Sequence, residues 1–257
     1  MRDSDPEGRS LQLTERDLQG QVALVTGGAR GIGRACARKL AAHGATVVGV
    51  DLDGATMEAA ADALRKEGLS VDARQADISD AAQVSALMKE VFSSYGQVDI
   101  LVNNAGIIDD TPIDRMDLER WRRVMDVNLL GSQLCTAACV GQMVERHYGR
   151  LVFVSSRAGQ MGSPLVNPSY SASKAALICL SKSYAHYVAP YGVVSNAVAP
   201  AFIQTEMVRG GGQPEDLPMK RLGTPEEIAN VVYFLSSGLC SYVNGVTIEA
   251  NGGQYIR

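Results

Sequence analysis

The chain is predicted to be α/β, with seven parallel strands in one sheet that is doubly wound and covered by helices on both faces. Three observations carry this. Short apolar runs alternate with helix-forming segments along the chain. A glycine cluster, Gly27, Gly31 and Gly33, lies between the first run and the first helical segment. An acid, Asp51, ends the second run. Strict alternation of strand and helix implies a parallel sheet, because each crossover returns the chain to the same edge.

In order, residues 22–26 form an apolar run bounded by glycines, which reads as a buried strand. Residues 34–42 are good helix formers and end near Gly44. Residues 46–50 are the second strand. Residues 54–67 read as a helix, 69–74 as a strand, 80–95 as a helix and 98–102 as the fourth strand. A long helical segment rich in small residues covers 117–146. Residues 150–154 are a strand, 170–189 a helix and 193–198 a strand. Residues 201–223 carry Gly210, Gly211 and Gly212 with two prolines, which predicts a mobile loop. Thr224 caps a helix over 224–237, with Pro225 at its first position. Residues 243–249 are a last strand. No linker, repeat or low-complexity tract interrupts this rhythm, so residues 18–257 are expected to be one domain after a polar, mobile arm at 1–17.

Composition narrows the function. The 257 residues are 46% hydrophobic and 20% charged, ordinary for a soluble globular protein, and carry a net charge of −4. No basic run offers a nucleic-acid footprint. No apolar run reaches about 18 residues, so no membrane span is expected. The five cysteines, Cys36, Cys135, Cys139, Cys179 and Cys240, form no Cys-x-x-Cys pair. With three histidines, this predicts no metal site, and it suits a reducing, cytoplasmic compartment. Cys135 and Cys139 read as small packing residues on one helix face.

The glycine cluster has a physical use. Gly27 permits a tight turn, Gly31 lets backbone approach a pyrophosphate, and Gly33 lets the helix pack close to the sheet. The helix N-terminus then turns its partial positive charge and free N–H groups toward phosphates. Asp51 follows Gly33 by 18 residues. At that strand tip a carboxylate accepts hydrogen bonds from both adenosine ribose hydroxyls and repels a 2′-phosphate. NAD is therefore predicted over NADP, with Arg30 as the counter-argument, since a guanidinium there pairs equally well with a phosphate. Asp77 ends the third strand, where it can meet the adenine amine. Asn103 reads as structural. Asn104 fits cofactor contact and structure equally, and Ala105 and Gly106 leave room beside it.

A second constellation runs from Ser156 through thirteen residues to Tyr170 and on to Lys174. On a helix, Lys174 sits one turn beyond Tyr170 on the same face. A tyrosine of pKa about 10 is a poor base at neutral pH. A cation at ~4 Å is worth up to roughly 4 kcal/mol at an effective dielectric of ~20, enough to bring the phenol toward the operating pH. The Ser156 hydroxyl is then available to hold the reacting oxygen. Spacing alone also fits a tyrosine near a helix end beside a solvated lysine.

Taken together, the glycine loop, residues 103–106, Asn128, Ser156, Tyr170 and Lys174 resemble the short-chain dehydrogenase/reductase family, in its classical branch, over about residues 18–257. The resemblance implies one Rossmann domain, usually in a homotetramer, and hydride transfer between NAD and a small-molecule alcohol or ketone. It implies Tyr170 as general acid/base, Lys174 as the residue that lowers its pKa and binds the nicotinamide ribose, and Ser156 as the group that polarises the substrate oxygen. Asn128 would hold a water linking Lys174 to solvent. Cofactor contacts are implied for Ile32, Leu52 and Ile78 as well as the residues above, and for Pro200, Ile203 and Thr205 around the carboxamide. Gln160 and Phe202 are expected against the substrate, beside Arg157, Met161, Leu165, Asn167 and residues 206–220. Arg157 reads as a surface salt bridge, or as a grip on a carboxylate or a thioester's phosphate. Two positions depart from the family pattern, Ala201 and Asn251, each in place of a commoner residue.

The leading expectation is an NAD-dependent oxidoreductase interconverting a secondary alcohol and its ketone. A 3-oxoacyl-thioester reductase is the second, with Asp51 against it because such reductases usually take NADPH. A non-catalytic NAD sensor is the third.

Overall fold

The computed structural model describes residues 17–207 and 213–256. Its strands are β1 (Val22–Thr26), β2 (Thr46–Asp51), β3 (Val71–Gln75), β4 (Ile100–Asn103), β5 (Gly149–Val154), β6 (Val193–Val198) and β7 (Thr247–Ile248). They form one seven-stranded sheet in the order β3-β2-β1-β4-β5-β6-β7, and every pair is parallel. This is the predicted doubly wound α/β architecture. Strands β1, β4, β5 and β6 are buried along their whole length, because helices cover both faces and leave no wet side to alternate with.

The helices divide between the faces. One face carries α1 (Gly31–Ala42), α2 (Gly54–Lys66) and α8 (Pro225–Ser236), around a core of Leu24-neighbouring strand residues such as Ala23, Val25 and Val47 with Leu40, Met57 and Val232. The other face carries α3 (Ala81–Tyr95), α5 (Gly131–Glu145) and α7 (Pro168–Val188), around Leu24, Leu101, Leu151, Phe153 and Leu177. Asp53, Asp80, Asn167 and Thr224 cap α2, α3, α7 and α8 through their side chains. Thr224 and Glu227 close a reciprocal capping box, with Pro225 at the first position as predicted.

Several boundaries differ from expectation, each for a visible reason. The long segment over 117–146 is a continuous helical run: α4 (Leu118–Met125), a π-helical stretch (Asp126–Leu130) and α5. By length and hydropathy the run Leu118–Glu145 would suffice to cross a membrane. Here its inner face, with Asn128, Ser132, Cys135, Cys139 and Met143, is buried against the sheet and α3. Helix α7 begins two residues before Tyr170, because Asn167 accepts from Ser169 N at 3.2 Å and Pro168 opens the first turn. A short helix, α6 (Ala158–Met161), follows β5 and was not expected. Strand β7 is only two residues long rather than seven. Val243 O and Asn244 Oδ1 are taken by Asn196 Nδ2 and Ser195 N, and Gly245 turns at φ 77°, so pairing with β6 begins only at Thr247.

Residues 1–16 of the expected arm, and Gly210 to Gly212 of the expected loop, lie outside the described residues. Asp17 belongs with the fold: it accepts from Tyr233 Oη at 2.8 Å and lies 3.1 Å from His43 Nδ1. Cys36, Cys135, Cys139 and Cys240 are buried and unbridged, and burial raises all four thiol pKa values.

Candidate active site

Strand order reverses between β1 and β4, which opens a crevice at the carboxyl ends of the strands. A cleft of about 660 Å³ occupies that position. Its floor at the first turn is backbone. Gly27 and Gly31 adopt φ of 66° and 53°, conformations that L side chains rarely take. A Cβ on Gly33 would lie 2.0 Å from Gly27 O, so helix α1 sits as close to the turn as backbone allows. Arg30 at the N-cap of α1 supplies no side-chain cap, so the first N–H groups of the helix remain for a ligand. A glycine cradle, a bare helix N-terminus and an acid at the β2 tip fit a dinucleotide.

Asp51 ends β2 and lines the cleft. Its Oδ2 accepts from Ala29 N and its Oδ1 from Asp53 N, both at 3.2 Å, which fixes the carboxylate without neutralising it. Leu52 beside it is exposed. Arg30 lines the same cleft and pairs with Asp53 at 3.6 Å and Glu206 at 3.2 Å. Asp77 also faces the cleft, but Ser79 and Arg123 hold its carboxylate below the usual range. Asn104 donates to Thr26 O at 2.9 Å and Gly27 O at 3.1 Å, so its side chain ties β1 to β4. Asn103 donates to Thr136 and is buried. Ile32, Ile78, Ala105, Gly106, Pro200, Ile203 and Thr205 all line the same cleft.

The π-helical stretch turns Asn128 inward. Its Oδ1 accepts from Ile107 N at 2.8 Å, and its Nδ2 donates to Ile107 O and Ser173 Oγ, each at 3.0 Å. One inserted residue thus aims an amide at α7; π-bulges often sit at functional sites. Lys174 is buried and donates to Val154 O at 2.9 Å. Where Gly106 has no side chain, a Cβ would meet Lys174 Nζ at 3.2 Å and Asn128 Oδ1 at 3.3 Å.

Ser156, Tyr170 and Lys174 converge on the cleft. The Ser156 hydroxyl hydrogen-bonds the Tyr170 phenol, which favours the anion, but burial outweighs it and raises the phenol's pKa. Lys174 Nζ lies 5.8 Å from the Tyr170 ring centroid, and burial lowers its own pKa to about 8. The predicted lowering of Tyr170 by Lys174 is therefore not produced by these side chains alone: the ammonium turns toward the Val154 carbonyl. Ser155 is resolved from Ser156 by its partner. Its hydroxyl donates to Lys174 O at 2.7 Å, a structural bond.

On the substrate side, Arg157, Leu165, Phe202 and Met207 line the cleft with Ile107, Ile108 and Val166, which the sequence did not single out. Gln160 does not. Helix α6 turns it to Glu249, to which it donates at 3.0 Å. Asn167 is buried in its capping role, and the adjacent pair Asn167-Pro168 was the overlooked signal for it.

A family model of short chain dehydrogenases matches residues 21–216. The chain is a short-chain dehydrogenase/reductase. It is an oxidoreductase of the CH–OH class that interconverts an alcohol and its ketone. A 3-oxoacyl-acyl-carrier-protein reductase of Aquifex aeolicus is 40% identical over 248 residues, covering 94% of this chain and all of the relative. The structure of a 3-oxoacyl-acyl-carrier-protein reductase with bound NAD from Brucella melitensis superposes with a TM-score of 0.88 at 35% identity, covering 100% of this chain and 99% of the other. Levodione reductase superposes with a TM-score of 0.88 at 33% identity, covering 92% of this chain and 98% of the other.

Proposed function

We propose that this short-chain dehydrogenase/reductase is NAD(H)-dependent and interconverts 3-oxoacyl and 3-hydroxyacyl thioesters. The observation that supports the substrate class best is the near-complete match to a 3-oxoacyl-acyl-carrier-protein reductase. It reverses the order expected from sequence, in which an unspecified secondary alcohol led. Asp51 supports the cofactor: an anchored, partly buried carboxylate at the β2 tip accepts ribose hydroxyls and repels a 2′-phosphate. The two inferences are compatible, since cofactor choice and acyl recognition use opposite ends of the cleft.

When bound, the dinucleotide supplies the hydride or accepts it. The chain's own groups handle the proton. Burial keeps the Tyr170 phenol protonated, which suits it to donate to the ketone oxygen during reduction. Ser156, next to that phenol, holds the same oxygen. Lys174, with its pKa brought to about 8, provides charge near Tyr170 and a donor for a ribose hydroxyl. Asn128 positions the α7 turn through Ser173, whose hydroxyl donates to Tyr170 O at 2.7 Å.

We further read residues 18–257 as one domain, in a cytoplasmic homotetramer assembled through the α4–α5 run and α7. Exposed Leu130 and Tyr187 on those helices support that assembly.

The test follows NADH and NADPH absorbance with a 3-oxoacyl thioester, a cyclic diketone and a keto-sugar acid. The reading expects the thioester to be reduced fastest, and with NADH. A clear NADPH preference overturns the cofactor assignment, and turnover of only the non-thioester compounds overturns the substrate class.

A further inference from the structure

Three arginines line the cleft: Arg30, Arg123 and Arg157. Arg30 is paired with Asp53 and Glu206, and Arg123 with Asp77. Arg157 has no such partner among the described residues. Its guanidinium lies over the Phe202 ring, 5.3 Å from the centroid, and its one side-chain hydrogen bond goes to Met161 Sδ at 3.7 Å. The surface salt bridge expected from sequence is not formed among the described residues. Among the described residues, a guanidinium with five N–H donors thus meets only one weak sulfur acceptor. Burial disfavours the charge, which pulls the arginine pKa down. A partly desolvated cation is unfavourable until a counter-charge meets it. A cation–π contact offsets only part of that.

The position limits the counter-charge. Arg157 directly follows Ser156, and its N–H is fixed to Pro200 O at 2.7 Å. Ser156, Tyr170 and the Phe202 ring under the guanidinium line the same cleft, which favours an anion near the reacting end of a substrate. That placement disfavours a phosphate at the far end of a pantetheine arm.

Resting on the alcohol–ketone reading of this site, we propose that Arg157 binds a carboxylate carried by the substrate close to its reacting carbon. The preferred substrates are then acidic. The carboxylate comes either from the acyl chain of a carboxyl-bearing thioester or from a free hydroxy acid. A planar guanidinium matches a carboxylate with two parallel hydrogen bonds, and the Phe202 ring holds it flat for that contact.

The test compares kcat/KM for four compounds: a 3-oxoacyl thioester with an apolar chain, the same thioester with a terminal carboxylate on a short acyl chain, a free 3-hydroxy acid and its methyl ester. Each is assayed on the natural chain, Arg157→Lys and Arg157→Met. The natural chain is expected to favour an acid over its neutral counterpart by at least about tenfold, the scale of a charge-assisted pair. In Arg157→Met that ratio collapses to near one, and Arg157→Lys retains part of it. A ratio that is near one in the natural chain, or unchanged in Arg157→Met, overturns the inference. Preference for the free acid alone keeps the inference and overturns the thioester reading. Good turnover of the apolar thioester with no acid preference does the reverse. Should no compound turn over, thermal shift with a short hydroxy-dicarboxylate decides: equal stabilisation of the natural chain and Arg157→Met, or none of either, overturns the inference.

Discussion

Replacing Lys174 with methionine should make the protein's stability respond differently to pH. The Lys174 ammonium is buried, and its pKa falls from 10.5 to about 8. Each pK unit is worth about 1.36 kcal/mol, so burial sets roughly 3 kcal/mol against the charged form. The direction follows from proton counting. Between about pH 8 and 10.5 the unfolded chain holds a proton that the folded chain has released. The unfolding free energy therefore rises with pH across that window, and below it both states are protonated and the full penalty is felt. Lys174→Met removes the penalty and leaves Val154 O without its donor, a loss of about 1–3 kcal/mol. Near pH 7 the variant should thus be as stable as the natural chain or more stable, by about 0–2 kcal/mol. By pH 10 the natural chain should have gained roughly 2–3 kcal/mol on the variant. Urea unfolding of both proteins at pH 7, 8.5 and 10, without added dinucleotide, measures this; other titrating groups cancel in the difference. Parallel stability curves would refute the reasoning, because they would mean that the ammonium is solvated.

Tyr170→Phe should lower kcat by at least about a hundredfold, as expected for loss of a general acid, while fluorescence titration gives an NADH affinity within about threefold of the natural value. Gly33→Ala should destabilise the fold by about 3 kcal/mol or more, since its Cβ would stand 2.0 Å from Gly27 O and neither backbone can yield; a melting temperature within about 2 °C of the natural chain would contradict the close packing. Asp51→Ala should shift the NADH-to-NADPH ratio of kcat/KM toward NADPH by about tenfold or more, read from absorbance assays with both cofactors. Light scattering at micromolar concentration should give four copies, and a monomer would remove the assembly from the proposal.

The glycine turn was legible because its logic is local. Glycines at fixed spacing between a strand and a helix permit only a few backbone paths, and the structure uses their positive φ and missing Cβ atoms directly. The Tyr170–Lys174 turn was equally legible, because helical periodicity alone places both on one side. What escaped depends on partners distant in sequence. Nothing in residues 126–130 announces a π-helical stretch; its i→i+5 backbone bonding, such as Gly131 N to Asp126 O, accompanies the contacts of Asn128 with Ile107 and Ser173. Gln160 was misplaced because a one-turn helix carries no amphipathic period by which to orient it. Asp77 gave no sign that Arg123, 46 residues on, would engage it. The shift of Tyr170 ran against expectation because charge proximity was inferred from spacing, while desolvation needs the full packing around the ring.

Lys174 is fastened three times over. Its carbonyl takes the Ser155 hydroxyl, its ammonium reaches Val154 O, and Gly159 packs so near that an added Cβ would stand 2.5 Å from Lys174 C. The end of β5, the turn after it and the second coil of α7 therefore move as one rigid block. Attempts to redirect this enzyme toward new molecules should leave Val154, Ser155, Gly159 and Lys174 intact. Diversity is better placed at Leu165, Val166 and Met207, cleft-lining positions outside that block.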